Sequence, residues 1–178
     1  MKKLLVFILL VIIGVGVAGF YGALHNQISY TVSPEYFTKF KFEQFRHTNT
    51  QIPERICASF VGYDASWWMG FLIGLLIGIV GFVHRGYRRM LTVSIQAMGV
   101  AVAFTFLFGL CGLGYGFYQT ANLNLADYRC WYFPDNIENP RRFLCAGYMH
   151  NSAYLGGVLS ILVAWVYHIV VKIRTKGA

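Results

Sequence analysis

Two dipeptides recur far apart in this sequence: His25-Asn26 within "ALHNQ" and His150-Asn151 within "YMHNS". Each imidazole stands where a long apolar run meets a more polar stretch, His25 at the end of one run and His150 before another. Asp64 occupies a similar boundary, and Glu35 opens the segment that follows the first run. Two imidazoles with one or two carboxylates at one depth make a donor set for a divalent transition metal such as Zn, Mn, Fe or Cu. His25, His150, Asp64 and Glu35 are therefore the candidate metal ligands, and a divalent transition metal is the candidate cofactor. Alternatively, these groups hydrogen-bond loop backbone at a membrane boundary. His25 and His150 are 125 residues apart, and nothing in the spacing forces them together. His47, His84 and His168 read as interface residues, although a histidine pair is also an arrangement that can hold haem.

The four cysteines carry a second set of expectations. Cys130 and Cys145 bracket "WYFPDNIENPRRFL". In an oxidising compartment a bridge between them is permitted, and it would contribute about 3 kcal/mol through the unfolded chain. Cys57 and Cys111 read as buried thiols, with a second bridge between them as the alternative. Four apolar runs with paired cysteines between them are similar in layout to the bacterial disulfide-forming membrane oxidoreductases that pass electrons to quinone. Those enzymes use a C-x-x-C pair, whose spacing tunes the thiolate, and this chain has none. No Walker motif, nucleotide-binding glycine loop, HExxH or Ser-His-Asp signature occurs either.

The elements that must position these residues follow from composition. The chain has 178 residues, 57% hydrophobic and 12% charged, with a mean hydropathy of +0.52. Charge that sparse marks a membrane protein rather than a soluble domain. Four runs are apolar enough to span a bilayer, at about 4–24, 67–83, 91–118 and 152–171, and none carries an acid or a Lys or Arg. No ionisable group of the kind a proton-coupled transporter places at mid-bilayer is present. Gln96 is the most conspicuous polar residue within a run, and it reads as glue between helices.

With the N-terminus inside, the pieces 1–3, 84–90 and 172–178 hold Lys2, Lys3, Arg85, Arg88, Arg89, Lys172, Arg174 and Lys176 and no acid. The outside loops, about 25–66 and 119–151, hold seven cations against seven acids. The net charge of +8 then lies on one face, as the positive-inside rule requires. Such short juxtamembrane clusters suit anionic headgroups rather than nucleic acid. The first run is long and "GVAGFYGALHN" has no clean small-x-small cleavage site, so it reads as an uncleaved anchor. The fold expected is an all-α membrane protein in one domain, 1–178. It has four transmembrane helices, cytoplasmic termini and a structured periplasmic cap.

Loops totalling about 75 residues are too long to be mere connections. In "SPEYFTKFKFEQF" (33–45), Ser33 suits an N-cap, Pro34 the first helical position, and Glu35 the positive end of the dipole. A short interfacial helix is expected, with Tyr36, Phe37 and Phe40 on one side and Lys39 and Lys41 reaching toward headgroups. The alternation Phe40-Lys41-Phe42-Glu43 makes a strand the competing reading. Gly70, Gly74 and Gly78 form a GxxxGxxxG face, and "FGLCGLGYGFY" adds Gly109, Gly112, Gly114 and Gly116. These predict close helix packing within the bundle, or a homo-oligomer seam.

The stretches "LHNQISYTVSPEYFTKFKF" and "YMHNSAYLGG" resemble a group of small bacterial four-helix membrane proteins for which no activity is established. The resemblance covers most of the chain and implies a bacterial inner membrane. Together these features predict a subunit, scaffold or sensor acting through its outer cap, with the bilayer and a protein partner as its contacts. The alternative is a metal-dependent or redox membrane enzyme centred on His25, His150, Asp64 and Glu35.

Overall fold

The computed structural model of the protein describes residues 1–48 and 51–175. Lys176, counted above among the inside cations, lies outside them. In chain order, α1 (Lys2–Val32) is followed by a short helical segment: α2 (Pro34–Tyr36), a π-helical stretch (Phe37–Lys41) and α3 (Phe42–Gln44). Then come α4 (Glu54–Gly81), α5 (Tyr87–Gln119), a 3₁₀ turn (Leu125–Tyr128) and α6 (Pro140–Arg174). No strand occurs among the described residues. Four of these helices, α1, α4, α5 and α6, are long and apolar enough to cross a membrane.

The long helices extend past the apolar runs. Helix α6 has 35 residues, about 52 Å of helix, where a hydrocarbon core is about 30 Å thick. The expected spans 67–83 and 152–171 are the apolar parts of helices that start at Glu54 and Pro140. The reason is local. Asn139 caps α6 by accepting from the Arg142 amide, and Pro140 sits at its first turn. That start signal acts whatever the hydropathy of the residues after it. Asp64 and His150 are therefore helical residues, not loop residues.

Glycine decides which helices pair. A Cβ on Gly14 would lie 2.6 Å from the Gly70 carbonyl oxygen and 3.0 Å from Gly74 Cα, so α1 and α4 approach backbone to backbone. Gly78 meets Phe7 of α1 in the same seam. Helix α5 packs on α6 through Gly112 against Ser152 and through Gly116 against Cys145 and Tyr148. The GxxxGxxxG face is thus used inside the chain. Gln96 accepts a hydrogen bond from the Tyr167 hydroxyl across the α5–α6 pair (3.1 Å). The two pairs, α1–α4 and α5–α6, touch each other far less than their members do.

The start of α1, the end of α6 and the α4–α5 turn share one end of the bundle, here the termini end. Lys3 Nζ donates to the carbonyls of His84 (2.7 Å) and Phe82 (3.2 Å), groups that the C-terminus of α4 leaves unpaired. Gly86 turns the chain at φ +83°, where a glycine is favoured. At the opposite, loop end, Ser33 Oγ accepts from the Tyr36 amide and starts the 34–44 segment as a helix. The π-helical stretch then spaces Phe37 and Phe42 one wide turn apart, and both are buried with Tyr36, Val61 and Phe143.

Candidate functional site

His25 on α1 and His150 on α6 meet near the loop end. Their ring centroids are 4.9 Å apart, with the planes at 86°. Both are buried. Ser29, one turn beyond His25, directs its hydroxyl at the carbonyls of His25 and Asn26 and so accepts from His150 Nε2 (3.1 Å). Tyr36 stacks on the His150 ring with centroids 5.0 Å apart, and Phe37 packs beside it. Asn26 donates to the Ala58 carbonyl (2.9 Å), tying α1 to α4 at this level. His25 Nδ1 lies 3.4 Å from the Tyr21 hydroxyl. Its Nε2 is buried with no hydrogen-bond partner among the described residues.

Toward mid-bundle from the two rings, a cavity of about 90 Å³ occupies the seam between the helix pairs. All four long helices line it, largely with Gly, Ala and apolar side chains. Its polar groups include Tyr21, Ser66, Thr105 and Tyr154. Thr105 is already bonded to the Ala101 carbonyl.

The two expected carboxylates are elsewhere. Asp64 accepts from or pairs with His47 Nε2 at 2.7 Å on the exposed face of α4. Glu35 accepts from the backbone amides of Glu138 and Asn139 (both 2.8 Å) and pairs with Lys39 (2.6 Å). Lys39 also donates to the Asn136 carbonyl. Partial burial pushes the Glu35 carboxyl upward, but the two amides and Lys39 outweigh this and hold it below its ordinary value. The hydrogen bond to Glu35 in turn raises Lys39. Lys41 stands 4.4 Å over the Phe40 ring, and burial lowers it to about 8. Of the four candidate ligands the structure brings together the two histidines only. Among the described residues no three of His, Cys, Asp and Glu gather as an ion would require.

The bridge expected between Cys130 and Cys145 is not formed; all four cysteines are free. Cys145 faces inward from the start of α6, 3.5 Å from Thr120 Oγ1, while Cys130 is exposed. Cys57 is buried as expected, whereas Cys111 is exposed. Sequence reasoning missed a second histidine pair at the termini end. His84 Nε2 and His168 Nδ1 are 2.9 Å apart and buried. Burial lowers the His84 pKa, reinforced by Arg89, Lys172 and Lys3. At that separation the two nitrogens lie within hydrogen-bond distance of each other, one donating and one accepting. Ser29 and Tyr21 were also missed, although each is four residues from His25 and so on its helix face.

Comparison with known protein families, curated proteins and solved structures found no match for this chain.

Proposed function

We propose that the protein is a multi-pass protein of a bacterial inner membrane, with both termini in the cytoplasm, that acts as a subunit, scaffold or sensor through the cap at its outer end. The observation that carries this reading is the position of Glu35. One carboxylate holds both interhelical segments, accepting from Glu138 and Asn139 while pairing with Lys39 of its own segment. Two long connections joined at one point and laid over a buried aromatic cluster behave as one rigid surface, which suits recognition rather than turnover. The positive-inside charge distribution supports the outward placement of that surface.

A second reading, a metal-dependent or redox enzyme, draws support from the contact between His25 and His150. It requires Asp64 and Glu35 to leave His47 and the α6 N-terminus and converge on the two rings. Metal analysis of the purified full chain separates the two. Less than a tenth of an ion per chain is expected. One ion per chain, lost in both His25→Ala and His150→Ala, would establish the metal reading instead. Cysteines introduced at Asn136 and Gly86 of a cysteine-free chain test the orientation. Labelling of Asn136 from the cytoplasmic side would remove the outer cap.

A further inference from the structure

We propose that the seam cavity binds an uncharged, lipid-soluble carbonyl compound with a ring-sized head, of the isoprenoid-quinone class, and that His25 Nε2 donates a hydrogen bond to its carbonyl oxygen. The first observation is the unpartnered nitrogen. His25 is 4% exposed, lines the cavity, and leaves Nε2 without a partner among the described residues. Its other nitrogen meets the Tyr21 hydroxyl at 3.4 Å. If Tyr21 donates there, both its proton and the Nδ1 lone pair are used and only the Nε2 proton is unmatched. If Nδ1 donates instead, the Tyr21 proton and the Nε2 lone pair are both left over. The first arrangement leaves fewer buried groups unsatisfied. His25 therefore presents an N–H, and an N–H requires an acceptor.

The second observation is the shape and lining of the space. At about 90 Å³ it is smaller than the roughly 150 Å³ engineered cavity that takes benzene. It therefore holds a slim chain or the carbonyl edge of a ring whose remainder projects through the opening beside Val17 and Tyr154. Gly14, Gly22, Gly70 and Gly157 keep its walls close to backbone. No Asp, Glu, Lys or Arg lines it, and a charged ligand would find no counter-charge at membrane depth. Val17 and Tyr154 are lining residues that are also exposed on the flank of the bundle, which gives a ligand a route in from lipid. An acyl chain would fit such a slot but offers no acceptor to His25. Water would offer one but needs two to four polar partners. Asn26, Thr105 and Ser160 are each bonded to helix carbonyls already. Beside His25 and Tyr21 the lining thus leaves Ser66 and Tyr154, and a bound water is one outcome of the test below.

The test is equilibrium binding of decylubiquinone to the full chain in phosphatidylcholine nanodiscs, against decylbenzene, which keeps ring and chain but has no carbonyl. Saturable decylubiquinone binding, at least tenfold tighter than decylbenzene, is expected. His25→Phe should weaken it about tenfold, the value of one such hydrogen bond. Gly157→Leu should abolish it. A Cβ on Gly157 would meet only Met69 Cγ, at 4.0 Å, so the larger side chain enters the cavity without displacing backbone. This variant decides the matter should His25→Phe fail to fold. Equal binding of the two compounds would make the cavity a general lipid slot, and no binding would make it a water or void site. Either result overturns the proposal, as does unchanged affinity in Gly157→Leu. The outer-cap reading fails separately, by inverted labelling at Asn136 and Gly86, which leaves a membrane-depth cavity in place.

Discussion

Glu35 shows how one side chain can carry the order of two loops. Its carboxylate accepts two backbone amides just before α6 and a lysine from its own segment. Removing it exchanges two hydrogen bonds for bonds to water, at about 0.5–1.5 kcal/mol each, so Glu35→Ala should cost about 1–3 kcal/mol. It should also loosen 34–44 and 134–139 together rather than either alone. Proteolysis of the two segments in Glu35→Ala, compared with Glu43→Ala on the exposed side of α3, checks this; independent cleavage would mean that Glu35 is not the link. The pH dependence has a definite sign. The folded carboxyl lies below its ordinary value of 4.5. Its contribution is therefore complete above about pH 4.5 and is lost as pH falls through the lower folded value. His25 is the contrasting case, since its unmatched nitrogen adds nothing to stability and makes sense only with an acceptor present.

At the scale of elements, the contacts between glycines set the helix pairs, and their effects are separable. Gly14→Ala puts a methyl 2.6 Å from the Gly70 oxygen, where neither backbone can yield. The substitution should destabilise by about 1–3 kcal/mol. Gly16→Ala, two residues away with nothing within 4 Å, should be neutral. Retention of the folded form on heating in detergent distinguishes them, and equal behaviour would deny the α1–α4 seam. Much of this level was legible in the sequence. Gly70, Gly74 and Gly78 read as a packing face, and Ser33-Pro34-Glu35 as a helix start, and both are found so. Hydropathy could not give the helix ends, because Glu54, Arg55, Arg141 and Arg142 lie in helices while counting against membrane burial. The π-helical stretch was not legible either. It arises because Phe37 and Phe42 must both enter the core, which α-helical spacing does not allow from residues five apart. The meeting of His25 with His150 was raised by type and depth alone. The removal of Asp64 to His47 and of Glu35 to α6 depends on long-range packing that no local pattern encodes.

For the whole molecule, the loose seam between the two tight pairs is tied at both ends and open in the middle. At the loop end the ties are Glu35 with Glu138 and Asn139, and Tyr36 with Phe143. Toward the termini end they are His84 with His168, and Trp165 Nε1 donating to the Leu76 carbonyl (3.2 Å). The ties at the two ends respond to acid at different points. His84, in the α4–α5 turn, is held below its ordinary 6.5 by burial and by Arg89, Lys172 and Lys3. A histidine kept neutral in the folded state contributes its stability in full above pH 6.5 and loses it as pH falls through the lower folded value. Glu35 begins to weaken only near pH 4.5. Acidification should therefore open the termini end first and the loop end second. Hydrogen exchange read by mass spectrometry, corrected for the intrinsic pH dependence, should show the 82–90 segment losing protection between about pH 6.5 and 5 while 34–44 keeps it. His84→Asn, which cannot be protonated in this range, should abolish the first step and leave the second. Simultaneous loss of protection at both ends would mean that the two helix pairs are locked as one rigid unit. The seam would then lack the freedom to admit a molecule from the side.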